Sequence, residues 1–226
     1  MNYTDKILFF MEIVGTVAFA SSGAMLAIRK RMDLFGICVL GVTTAVGGGM
    51  TRDLLLGITP PNIFRNPLNT VIALAVSVIV FLILYLGHGS MGSRLTAVYD
   101  KIMMVFDAVG LGVFTSMGIN TAREAGYDQT FLLVFVGVIT GVGGGLLRDV
   151  MAQEKPYILT KHIYACASIA GALICVYTWE PMGNLAAIML GLAVVIIVRF
   201  LAMHYRWNLP RLETQEEGEG SSSLLK

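Results

Sequence analysis

Residues 41–53 read GVTTAVGGGMTRD and residues 137–149 read GVITGVGGGLLRD. Each copy places a glycine triplet, Gly47-Gly48-Gly49 or Gly143-Gly144-Gly145, just ahead of a charged pair, Arg52-Asp53 or Arg148-Asp149. The copies are 96 positions apart, 47 to 143 and 52 to 148, and both lie in apolar stretches long enough to cross a bilayer. Each glycine costs a helix roughly 1 kcal/mol relative to alanine, and ionised side chains at membrane depth are rare and expensive. So unfavourable a combination, present twice, implies that something polar is moved across a membrane.

The repeat extends outward from the triplets. Gly15, Phe19, Ser21 and Gly23 match Gly110, Phe114, Ser116 and Gly118 at an offset of 95. After a one-residue slip, Phe35, Gly41, Thr44, Val46 and Pro60 match Phe131, Gly137, Thr140, Val142 and Pro156 at 96. A hydrocarbon core needs roughly 20 apolar residues per helix. Seven segments qualify, at about 7–28, 34–57, 68–87, 103–121, 130–151, 161–179 and 183–204. The fold class is therefore an all-α membrane protein of seven transmembrane helices. Repeat one covers about 7–87, repeat two about 103–179, and an extra helix about 183–204, all within one transmembrane domain at 1–204. Three helices per unit is an odd number, so the second unit enters the membrane from the opposite side. That inverted plan is common in proteins with a polar pathway at the bilayer midplane.

Composition agrees. The chain has 226 residues, 56% hydrophobic and 14% charged, with a formal net charge of +1. Soluble domains carry about 25% charged residues. No basic arm or recognition motif calls for nucleic acid. Cys38, Cys166 and Cys175 lack the spacing of a metal site or disulfide framework, so no metal is expected. There is no P-loop, nucleophile elbow or HExxH, and an enzyme is not expected. Ala18-Phe19-Ala20 resembles a signal-peptidase site, but the apolar run continues to Ile28 and Asp5 offsets Lys6, so the segment is read as a retained span. Arg29, Lys30, Arg31, Arg94, Lys101, Lys155, Lys161, Arg206 and Arg211 fall on one side of the membrane, against Lys6, Arg65 and Arg123 on the other. The positive-inside rule puts the N-terminus outside and the C-terminus in the cytoplasm. The tail at 205–226 is polar, and from Pro210 it reads as disordered.

Candidate site residues follow from position. The triplets permit a kink that frees backbone carbonyls beside a water-filled cavity, where they would ligate a cation. The plainer reading is close helix packing of the small-xxx-small type. Arg52 and Arg148 would act as a gate, with Asp53 and Asp149 as counter-charges. Adjacent residues do not face each other on a helix, so a crossed pairing is expected, Arg52 with Asp149 and Arg148 with Asp53. A structural staple between the units is the plainer alternative. Glu12 and Asp107 are further acids at membrane depth, each a candidate cation site or proton relay. Asp107 lies near the start of its expected helix, where a carboxylate also favours the dipole. Ser21, Ser116, Thr44 and Thr140 offer hydroxyls to a pore, although such groups also bond back to their own helix.

The run Gly15-Thr16, Phe19-Ala20-Ser21-Ser22-Gly23-Ala24, Arg29-Lys30-Arg31-Met32-Asp33, Gly36, Gly41, Gly47-Gly48-Gly49, Arg52-Asp53, Gly57 and Pro60-Pro61 resembles the bacterial UPF0126 family, which belongs with the trimeric intracellular cation (TRIC) channels. Residues 137–149 repeat the signature, and the resemblance covers nearly all of 7–204. It implies two inverted three-helix bundles plus a seventh helix, and a homotrimer with one pore per protomer. It implies a potassium-permeable monovalent cation channel, passing potassium or sodium, in the bacterial inner membrane. Membrane lipids are implied partners, and no cofactor is implied beyond a bound lipid. Gly47–Gly49 and Gly143–Gly145 would kink around the pore, and Arg52 and Arg148 stand where animal members have a gating basic residue. Those members' lysine-rich lipid-binding stretch has no counterpart here. Other bacterial relatives have been linked to glycine transport, and a secondary transporter for a small zwitterion such as glycine is the alternative.

Overall fold

The computed structural model describes residues 3–86, 93–160, 163–205 and 207. The tail from Pro210, with Arg206, Arg211, Lys161, His88 and His162, lies outside the described residues. All regular structure among the described residues is helical: α1 Tyr3–Arg29, α2 Leu34–Leu55, α3 Asn62–Arg65, α4 Leu68–Leu86, α5 Ser93–Glu124, α6 Thr130–Met151, α7 Tyr157–Thr160, α8 Ile163–Met182 and α9 Asn184–His204. Seven are long and apolar enough to span a membrane. The short α3 and α7 follow the two Arg-Asp pairs and were not expected. At four residues each they carry no periodic signal.

The centre is a four-helix core in which α1 and α2 of one repeat pack on α5 and α6 of the other. Two repeat-related aromatic rings meet at the contact between the units. Phe19 and Phe114, 95 positions apart, have ring centroids 5.2 Å apart. Space for each ring comes from a glycine of the other unit, Gly110 beside Phe19 and Gly15 beside Phe114. With lipid as apolar as leucine, helix association depends on such close packing rather than on a hydrophobic drive. α4 lies outside the core on α1 and α2, burying only Ala73 and Ser77. The related α8 is additionally covered by α9, which follows it after the single joint residue Gly183 at φ 82°. α9 and α8 meet through Gly191 and Gly171, and α9 also packs on α5.

Beyond the end of α6, Glu154 clasps the end of α1, 3.2 Å from Arg29 and 2.7 Å from Lys30. The Lys30 hydrogen bond first, then the Arg29 and Lys30 charges, hold its carboxyl below the usual glutamate range. A depressed folded value means the contribution is full at neutral pH and is lost as pH falls through that lowered value. The pair is solvent-accessible, so Glu154→Gln is expected to cost only ~0.2–1 kcal/mol at pH 7. The difference from the parent should vanish in thermal unfolding below the ordinary carboxylate range.

Candidate functional site

The Arg-Asp pairs sit at the ends of α2 and α6. Arg52 bonds its own neighbour, Nε to Asp53 Oδ1 at 2.8 Å and Nη2 to the same oxygen at 2.7 Å. Arg148 Nε likewise bonds Asp149 Oδ1 at 2.8 Å, with Nη2 at 2.8 Å from the same oxygen as an ion-pair contact. The expected crossed pairs, Arg52 with Asp149 and Arg148 with Asp53, do not occur. The two Cβ atoms diverge around the helix, but an arginine is long enough to fold back across its neighbour. The aspartate is held for that grip because its second oxygen caps the next short helix. Asp53 Oδ2 accepts from Asn62 N at 2.7 Å, and Asp149 Oδ2 accepts from Tyr157 N at 2.8 Å.

The triplets are not sites of helix breakage, for α2 and α6 remain helical without interruption through them. They are the crossing point of the two helices. A Cβ at Gly48 would overlap the Thr140 carbonyl oxygen, and one at Gly144 would overlap the Thr44 carbonyl oxygen. Gly143 faces Gly48 Cα, Gly47 faces Leu147, and Gly145 faces the Tyr164 hydroxyl and Asp107. Gly49 alone of the six has open space, with Arg52 Nη2 3.8 Å away. Thr44 and Thr140 are buried and give their hydroxyls to Leu40 O and Val136 O, each at 2.6 Å. They fill the gaps opposite Gly23 and Gly118. Ser116 is buried toward Gly191 of α9, and Ser21 is buried in α1. The serine that reaches a charged group is Ser22, which accepts from Arg148 Nη1.

Around each pair the repeat builds the same frame with different chemistry. Glu12 and Asp107 are 95 positions apart, as are Asn62 and Tyr157, and Asn69 and Tyr164. In the second unit Asp107 accepts from Arg148 Nη1 at 2.7 Å, and Tyr164 Oη lies 3.5 Å from the same oxygen. Tyr157 lies against the Arg148 guanidinium, 5.1 Å from ring centroid to Cζ. Arg148 and Asp107 are each 0% exposed, so this end is shut. In the first unit small amides replace the rings. Asn69 Nδ2 donates to Glu12 Oε1 at 2.9 Å, and no ion pair joins Glu12 to Arg52. A cavity of about 400 Å³ opens there, with Thr16, Gly49 and Arg52 in its lining. Four carboxylates, Asp5, Glu12, Asp53 and Glu124, line it against two guanidiniums, Arg52 and Arg65.

Asp107 is not at a helix start. α5 begins at Ser93, about four turns earlier, so the dipole reading fails and the carboxylate acts as the buried partner of Arg148. Arg199 of α9 was missed. It is buried, with Nη2 3.8 Å from Asp107 Oδ2. An arginine inside an apolar span was signal enough to find it.

Inverted three-helix units around a crossing of glycine-rich helices, with charged clusters at both ends, define a seven-span membrane protein of the permeation or transport class. The sequence model of the glycine transporter family matches twice, over residues 9–85 and 104–180. The chain is 39% identical over 218 residues to the UPF0126 inner membrane protein YadS of Escherichia coli, covering 94% of this chain and 99% of that one. It is 33% identical to the UPF0126 membrane protein YvgT of Bacillus subtilis, covering 88% and 94%. The chain belongs to the UPF0126 family. Among solved structures, a TRIC cation channel studied for its conductance superposes with a TM-score of 0.79 at 35% identity, covering 92% of this chain and 98% of the other. A prokaryotic TRIC channel crystallised in 0.5 M KCl superposes at 0.81 with 32% identity, covering 90% and 99%.

Proposed function

We propose that the chain is a potassium-permeable monovalent cation channel, trimeric, with one path through each protomer. The observation that carries this reading is the acid-rich cavity that ends at the glycine crossing, with the buried Arg148–Asp107 pair beyond it. An excess of carboxylates in a confined, low-dielectric cleft concentrates cations at its mouth. A hydrated potassium or sodium ion enters beside Asp5 and Glu124, passes Glu12 and the Asn69 amide, and stops at Arg52. Going further requires Arg148 to leave Asp107 and the α2–α6 crossing to loosen. Arg52 with Asp53, and Arg148 with Asp149, are then the gating charges, and Gly47–Gly49 with Gly143–Gly145 the constriction. The similarity to TRIC channels supports the same function. In this reading the cavity opens on the extracytoplasmic face of an inner membrane, with the N-terminus outside and the C-terminus inside, an orientation supported by the bias of the loop charges.

One feature favours a second reading. A cavity open at one end and sealed at the other suits alternating access, and Arg52 and Glu12 offer a carboxylate site and an ammonium site in one cleft. That is the layout of a secondary transporter for a small zwitterion such as glycine. The test is planar-bilayer recording of purified protein in potassium chloride gradients, beside glycine uptake into liposomes. Discrete openings that reverse near the potassium potential are the expected result. A silent bilayer with saturable glycine uptake would replace the channel by the transporter.

A further inference from the structure

The two oxygens of Asp107 are served unequally. Oδ1 takes the Arg148 hydrogen bond, whereas Oδ2 is buried without any. Arg199 Nη2 stands 3.8 Å from that bare oxygen, beyond hydrogen-bond reach, and Arg199 Nε is likewise buried without a partner. The Arg199 guanidinium lies 4.8 Å from the Tyr164 ring centroid, a contact that holds it near without fixing its direction. This is a half-made ion pair beside a hydrogen-bonded one, with both of its ends unsatisfied; Arg148 Nη2 is likewise buried without a hydrogen bond. It exists in one unit only, because Arg199 comes from α9, which stands outside the repeat.

We propose that Arg199 is a relay counter-ion: as Arg148 withdraws to open the path, Asp107 passes to Arg199, so that α9 sets how readily the seal opens. The inference rests on reading Arg148–Asp107 as the seal. Without a relay, opening strands a carboxylate at membrane depth, the arrangement most penalised by low dielectric. With it, a shift of about an ångström converts the 3.8 Å approach into a hydrogen bond. Arg199 is a positioning residue here, since it acts through Asp107 and not on the ion.

Two independent readouts test this. In bilayer recordings Arg199→Gln should lower open probability at least tenfold, and Arg199→Lys, which keeps the charge, should restore most of it. Open probability unchanged, or raised, in Arg199→Gln would overturn the relay, a rise marking Arg199 as a lock on the closed state. The second readout needs no current. Thermal unfolding is compared for Arg148→Gln, Arg199→Gln and the double variant. The double should lose more than the sum of the singles, because only there is Asp107 left with neither arginine. Additive losses would overturn the relay. If the parent protein itself passes no current, the channel reading falls, and the unfolding cycle alone decides the relay.

Discussion

Gly48→Ala and Gly144→Ala are each expected to prevent recovery of folded protein, while Gly49→Ala is tolerated. The three positions are equivalent in composition and differ only in what a Cβ would meet. At Gly48 and Gly144 it would overlap a backbone carbonyl, of Thr140 and of Thr44 respectively. A carbonyl inside an intact helix cannot rotate away, so α2 and α6 must separate. Overpacking typically costs ~1–3 kcal/mol, and more where backbone must move. Here each separation also opens the other contact, because the two glycines face each other's threonine turn. At Gly49 the nearest atom is the mobile Arg52 Nη2, and relief of glycine's helix penalty is worth ~0.5–1 kcal/mol. Size-exclusion profiles in detergent with thermal unfolding check this. A monodisperse, parent-like Gly48→Ala protein would show that the crossing is loose.

Arg148→Gln is expected to raise open probability by at least about tenfold, an opening bias of ~1.4 kcal/mol or more. The guanidinium holds Asp107, Asp149 and Ser22 together at the sealed end. Its loss removes both the seal and a fixed positive charge from the cation path. Breaking a buried pair on one side typically costs ~3–5 kcal/mol, so the variant should also melt earlier than its parent. The same change at Arg52 should do less. Arg52 already borders the cavity, and it pairs with Asp53 rather than with Glu12. Parent-like gating from a folded Arg148→Gln protein would remove this pair from the gate.

Much of this architecture was legible in the chain. Seven apolar runs of bilayer length, and a repeat unit of three of them, leave only an inverted arrangement. Physical periodicity at that scale depends on local composition and needs no knowledge of contacts. The weight of the site was also visible, since Arg52, Asp53, Arg148, Asp149, Glu12 and Asp107 are charges where charges are costly. The spacing of 95 between Glu12 and Asp107 follows the same repeat, although in sequence each reads only as a separate acid.

Partnership was decided by the tertiary structure alone. Helix geometry argued against Arg52 with Asp53, yet the aspartate's duty at the following short helix, which no periodicity announces, fixes it within reach of its neighbour. The glycine triplets were compatible with a kink or with close approach. Only the placement of α2 against α6 shows the close approach, because a missing Cβ matters through what stands opposite. The inequality of the two ends is of the same kind. Asn62 and Asn69 stand opposite Tyr157 and Tyr164 in the repeat, and amides admit water where rings exclude it. Arg199 joins the second cluster through a helix outside the repeat. Sequence thus determined which groups must find partners in the membrane. The fold determined which partners they found, because burial, distance and water access belong to the assembled helices and not to any one of them.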